Sequence, residues 1–204
     1  MTETAVDALD RQMMARCIAL SRRAVAAGEL PFAAVIARDG EIVAEAENRV
    51  ARDRDVTRHA EIIAIADAQR RLGTRLLRDC TLYSTVEPCP MCAFPAREAQ
   101  VGRVVFALRS PLMGGLTKWN VLRDSELSAV LPEAFGGIPE IVAGVLAEEA
   151  VRAWKDWNWL GWQVIRGRGC FDEPGAPRET APAVERFAAL RNRSFLRSLL
   201  ALHR

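Results

Sequence analysis

The sequence predicts a layered α/β domain, and three features carry the prediction. Short β-prone runs alternate with segments whose apolar residues recur at helical spacing. Half of the 204 residues are hydrophobic, enough for one well-buried core and too many for a disordered polymer. Glycine and proline fall between the runs, where helices stop and chains turn.

The elements follow in order. From about Ala8 to Ala27, Met14, Cys17, Ile18 and Val25 recur at helical spacing, and Gly28 stops the run. Phe32 to Ala37, the Asp39-Gly40 pair and Ile42 to Ala44 read as a β-hairpin. A polar loop from Asn48 to Thr57 leads into a helix over His59 to Leu72, with Thr57 as the expected N-cap. Thr81 to Val86 reads as a buried strand. Pro88 and Pro90 bracket the start of a further helix, where the first amides have no intrahelical acceptor to lose. Val104 to Ala107 is a strand. Arg109 to Gly137 reads as irregular, with a short helix near Trp119 to Arg123. Glu140 to Gly144 is the last strand, and Ala147 to Val164 a long helix.

Composition shifts at Gly167. Glycines and prolines crowd residues 167–182, and an amphipathic helix is expected from Ala183, with Phe187, Leu190, Leu196, Leu199 and Leu200 on one side. The expected division is therefore a domain over 1–166 and a linker-plus-helix extension over 167–204. Residues 183–204 hold five arginines against Glu185, a net +4, so the chain's +2 leaves −2 for residues 1–182. Met1 to Leu9 has acids and no long apolar run, and no stretch reaches about 18 apolar residues. A cytoplasmic location without membrane contact is expected. Five cysteines, an odd number with two of them three apart, fit a metal site better than a disulfide framework.

Chemistry concentrates at two helix starts. His59-Ala60-Glu61 opens one, and Pro88-Cys89-Pro90-Met91-Cys92 opens the other. The spacing puts both sulfurs on one face of a first turn, where the positive end of the helix dipole favours thiolates. His59 adds a neutral nitrogen, giving a three-ligand set for one Zn²⁺ per chain. Three protein ligands leave the fourth position of a catalytic zinc to water. Glu61, in the first turn, is placed to take that water's proton and hand it on.

This H-x-E…P-C-x-x-C pattern resembles the cytidine-deaminase superfamily, above all its branch of tRNA adenosine deaminases and guanine deaminases. The likeness spans about residues 10–160. It includes Pro31 to Val35, Asn48, Thr57 to Glu61, Leu82 to Cys92, Gly102 to Phe106 and Glu140 to Gly144. It implies a three-layer α/β/α fold around a mixed sheet of about five strands. It also implies zinc on His59, Cys89 and Cys92, Glu61 as the proton-shuttling catalytic residue, and a homodimer. Asn48 matches the branch's substrate-binding asparagine. Phe32 reads either as a ring stacked on substrate or as a core residue, and both readings stand. Glu87, with Pro88, is expected to orient the zinc loop.

The resemblance leaves the substrate open. Ala93-Phe-Pro-Ala-Arg97 stands where the tRNA enzymes have a small-residue run, and Pro95 should perturb that helix. Pro111 to Asn120 lacks the acid expected of guanine deaminases, for which Asp124 or Glu126 is a substitute. The favoured expectation is hydrolytic deamination of a small amino-heterocycle, a guanine-, isocytosine- or aminotriazine-like free base or a nucleoside. The alternative is a tRNA adenosine deaminase, and the rival of another class is an inactive zinc-containing binding module. Trp154, Trp157, Trp159 and Trp162 read as a core or interface stripe before a base-stacking platform.

Overall fold

The computed structural model describes residues 6–172. Helix α1 (Ala8–Ala26) opens on a capping box between Asp7 and Asp10 and ends before Gly28, whose φ of +83° no β-carbon favours. Strands β1 (Ala33–Arg38) and β2 (Glu41–Glu47) form the expected hairpin, with Asp39 and Gly40 both left-handed at its two-residue turn. A single helical turn, α2 (Val50–Asp53), interrupts the polar loop, and α3 spans Ala60–Leu72. Then come β3 (Cys80–Val86), α4 (Pro90–Glu98) and β4 (Arg103–Leu108). Two short helices, α5 (Ser125–Val130) and α6 (Pro132–Phe135), precede β5 (Glu140–Ala143), α7 (Ala147–Trp157) and α8 (Trp159–Gly167).

The sheet runs β2-β1-β3-β4-β5. Strand β1 pairs antiparallel with both β2 and β3, whereas β3, β4 and β5 run parallel to one another, so the sheet is mixed. Strand alternation divides the core in two. Ala33, Val35, Tyr83 and Val105 face α1, α7 and α8, while Ala34, Ile36, Leu82, Val104 and Phe106 face α3 and α4. Both faces are thus covered by helices, which gives the three-layer α/β/α fold.

Three expectations need correction. Thr57 does not cap α3, because its hydroxyl and amide both bond Asp55 and the helix starts two residues later on His59. The long helix from Ala147 breaks at Asn158, which is extended and accepts the Gly161 amide, capping α8. The Arg109–Gly137 stretch holds two short helices besides a 3₁₀ turn at Val121–Arg123. Pro95, expected to perturb α4, lies inside that helix, where it removes one bond while Ala99 still donates to its carbonyl.

Trp154 and Trp162 are buried, and with Phe32 and Phe171 they form an aromatic cluster under α7 and α8. Trp119 and Trp159 are exposed. Cys17 and Cys80 are buried among apolar neighbours, as small core residues should be. The amphipathic helix expected from Ala183 lies outside the described residues. Among those described, no helix is long and apolar enough to cross a membrane.

One buried ion pair ties the layers together. Asp10 of α1 is fully buried and accepts from Tyr83 of β3 at 3.1 Å and from Arg103 of β4 at 2.8 Å. Burial alone would raise its pKa, but the Arg103 guanidinium outweighs this and holds the carboxyl below the usual range. A carboxyl depressed on folding contributes stability above its unfolded pKa of about 4, and the contribution is lost as pH falls through the lower native value. Asp10→Asn should cost about 2 kcal/mol near neutral pH, because it removes the buried one of Arg103's two carboxylate partners and leaves only the more exposed Glu140. The loss should shrink on acidification from about pH 5 to pH 2, measured by urea unfolding at each pH.

Candidate metal centre and active site

The two predicted helix starts meet at the carboxyl end of β3. His59 is the N-cap of α3 and Cys89 the N-cap of α4, both with extended backbone. Pro90 follows at the first helical position, where its fixed φ suits the turn. Cys92 lies in that first turn, buried beneath the half-buried Cys89 and His59.

The three ligand atoms converge. His59 Nδ1 lies 3.6 Å from Cys89 Sγ and 3.4 Å from Cys92 Sγ, and the sulfurs are 3.6 Å apart. Atoms bound tetrahedrally to one zinc at its usual bond lengths are about 3.5–3.8 Å apart, so the set fits that ion. Among the described residues this is the cluster arranged to hold a metal.

Charge within the cluster makes the same demand. Without a cation between them, two thiolates so close cannot both persist. The hydrogen bond from Cys92 holds the Cys89 thiol down to about 4, with His59 adding to the effect against burial. Cys92 is driven up by the same sulfur pair and by burial. His59 is raised, chiefly by its contact with Cys89. A divalent cation at the centre would displace both sulfhydryl protons.

Glu61 is buried beside this cluster. Its Oε2 lies 3.5 Å from Cys92 Sγ, and its Oε1 accepts from the Ser84 hydroxyl at 2.9 Å. Burial, above all, raises the pKa of its carboxyl. Ser84 was not singled out by the sequence. The available signal was that, of the three hydroxyl residues Tyr83, Ser84 and Thr85, only Ser84 shares the strand face of Leu82, which turns to α3.

Glu87 does not touch the ligand atoms. Its carboxylate accepts from the amides of Ser110, Leu116 and Thr117 and from the Thr117 hydroxyl. This gathers the loop after β4 onto the metal motif, and Pro88 helps by accepting the Gly115 amide at 2.8 Å. The fit is tight. A β-carbon at Gly114 would stand 2.0 Å from Glu87 Oε1, and one at Gly115 would stand 2.5 Å from Ala93 Cβ. Behind this loop, Arg97 of α4 is buried and donates to the carbonyls of Val121, Leu122 and Asp124 and to Ser128. Asp124 itself caps α5 through the amides of Glu126 and Leu127, and Glu126 is exposed.

Asn48 is buried at the end of β2, its amide nitrogen donating to the Phe32 carbonyl at 3.0 Å. The side-chain Nδ2 donates to Glu29 Oε2 at 2.8 Å. Phe32 is half-buried, its ring edge-on to Trp154 at 5.1 Å and to Phe171 at 6.4 Å. Its core role is therefore present whether or not it also meets a substrate. Glu29 is a second residue that sequence reading missed, being only one acid after a helix stop.

Known proteins share this arrangement. Residues 7–108 match the cytidine and deoxycytidylate deaminase zinc-binding region. The tRNA(Ile)-lysidine synthase of Deinococcus radiodurans is 36% identical over 171 residues, 83% of this chain but 27% of that protein. The chain therefore spans about a quarter of that relative's length. The tRNA-specific adenosine deaminase of Bacillus subtilis is 38% identical over 142 residues, 69% of this chain and 83% of that one. A solved guanine deaminase from Nitrosomonas europaea superposes with a TM-score of 0.58 at 26% identity, covering 76% of this chain and 87% of its own. Matched over half its length, with its His59, Cys89 and Cys92 gathered as a zinc-binding region requires, the chain belongs to the cytidine and deoxycytidylate deaminase family.

Proposed function

We propose that the chain is a hydrolytic deaminase that releases ammonia from the exocyclic amino group of a small purine- or pyrimidine-like ring. Zinc, held by His59, Cys89 and Cys92, supplies a Lewis acid that brings the pKa of water down to about 7. Glu61 passes the attacking water's two protons in turn, the first to the ring nitrogen as the C–O bond forms and the second to the amine as the C–N bond breaks and ammonia leaves. Its burial raises the carboxyl toward the range useful for both steps, and the Ser84 hydroxyl fixes one oxygen so that the other faces the metal cluster. Asn48 binds an edge of the ring, with Phe32 beside it. Glu87 and Pro88 hold the loop of residues 110–117 against the metal motif. A second copy of the chain is the expected partner.

One observation carries the choice of a small ring over a polyanion. The loop joining Asn48 to His59 is rich in arginine, yet Arg49, Arg52 and Arg58 all converge on Asp53. The shared carboxylate offsets part of their charge, so the loop, with four arginines against Asp53 and Asp55, presents less to a phosphate backbone than its arginine content suggests. A second reading, deamination of a tRNA adenosine, has its own support in the Bacillus subtilis relative, which is covered over 83% of its length.

Ammonia release from guanine, adenine, cytosine, isocytosine and aminotriazines, beside an inosine assay on tRNA, separates the two. A free base should be turned over with rates varying less than about twofold between 50 and 200 mM salt. A tRNA substrate using six or more phosphate contacts should lose about 10³-fold in affinity over that range. Inosine formation with such a salt slope and no free-base turnover would overturn the first reading.

A further inference from the structure

We infer that Glu29 is a positioning residue that fixes the orientation of the Asn48 amide and thereby decides which hydrogen-bonding groups the site offers its substrate. The inference rests on Asn48 being a substrate contact, as proposed above.

Glu29 is 2% exposed, and a carboxylate so deep must have donors around it. It has three. Oε2 accepts from Asn48 Nδ2 at 2.8 Å and from the Ala51 amide at 3.2 Å, and Oε1 accepts from the Arg52 amide at 2.7 Å. The last two are amides of the first turn of α2, so the same carboxylate anchors the turn that follows Asn48. The helix stop at Gly28 delivers it there, since the Glu29 amide closes the end of α1 on the Ala24 carbonyl.

The chemical consequence lies in the amide. Asparagine carries an acceptor and a two-proton donor that differ little in shape, so an isolated Asn48 could present either. An ionised carboxylate accepts only. Nδ2 must therefore face Glu29, which leaves Oδ1 and one N–H for a ligand. Among the described residues, the bond to Glu29 is the one side-chain hydrogen bond Asn48 makes. The ring bound here is met by a fixed pair, Oδ1 for an N–H or amino donor and the remaining N–H for an acceptor.

Glu29→Gln keeps the shape and removes this instruction. The Arg52 amide, bonded at 2.7 Å, keeps the glutamine oxygen as its acceptor, so the NH₂ takes the place of Oε2 and opposes both Asn48 Nδ2 and the Ala51 amide. Turning Asn48 over relieves the first conflict by presenting its NH₂ where Oδ1 had been and leaves the longer 3.2 Å contact. On the zinc-loaded full chain, with guanine, adenine, cytosine and a tRNA substrate as probes, Glu29→Gln should raise KM at least about 10-fold on the accepted probe. The effect on kcat should be much smaller. Asn48→Ala should raise KM similarly, and the double variant should be no worse than Asn48→Ala by more than about twofold.

A normal KM in Glu29→Gln beside a raised KM in Asn48→Ala would overturn the inference and spare the substrate role of Asn48. Losses that multiply in the double variant would also overturn it. A normal KM in Asn48→Ala would instead sink the substrate contact. A readout independent of turnover is the ¹⁵N side-chain resonance of Asn48, identified by its absence in Asn48→Ala. Slow exchange of its NH₂ protons in the wild type should be lost in Glu29→Gln, and unchanged exchange would overturn the positioning role outright.

Discussion

Glu61→Gln is expected to reduce deamination about 10²–10⁴-fold while leaving about one zinc per chain. The replacement is nearly isosteric, and its amide oxygen still accepts the Ser84 hydroxyl, so the buried site keeps its packing and its bond at Oε1. What it loses is the capacity to carry a proton. The metal ligands are untouched, and the melting temperature should move by no more than a few degrees. Steady-state ammonia release and zinc content measured on the same samples test this. Unchanged turnover would remove Glu61 from the chemistry, and absence of turnover in both proteins across the probe panel would favour a zinc-containing binding module.

Cys92→Ala is expected to bring both zinc content and activity close to zero. Two ligands remain after the change, too few to hold the ion tightly. The same variant should lower the melting temperature of the zinc-loaded protein. A site occupied at about 1,000 times its Kd contributes about 4 kcal/mol, or roughly 8–16 °C for a chain of this size. Cys92 is buried in a cluster whose two sulfurs otherwise share a proton, so chelator-treated wild type should melt near the variant rather than near the loaded protein. Full zinc content in Cys92→Ala would show that the ion sits elsewhere.

These two expectations differ in what they needed. The pairing of His59 with Cys89 and Cys92 was legible because a metal site writes its ligands as spaced residue types at helix starts. The alternation of strands and helices was equally legible, and the hairpin turn at Asp39-Gly40 announced itself through residues that tolerate positive φ. The break at Asn158 was partly legible too, since asparagine is a favoured N-cap, but the apolar spacing on both sides masked it. Pro95 was legible as a disturbance of α4, but not as a residue the helix would accommodate. A residue that usually ends a helix is held inside one by the packing of Ala93, Ala96 and the buried Arg97 around it.

The sequence by itself determined the class of fold and the three candidate ligands, because both depend on local pattern: periodicity, turn chemistry and ligand spacing. The family came from the resemblance of its H-x-E…P-C-x-x-C motif. Only the tertiary structure decided the partners of the single buried polar groups. Glu29 reaches Asn48 across 19 positions, Ser84 reaches Glu61 across 23, and Arg103 reaches Asp10 across 93. Each is a hydrogen bond between elements that meet only when the layers close. A buried carboxylate must find donors, yet nothing in the neighbouring sequence says which chain segment will supply them.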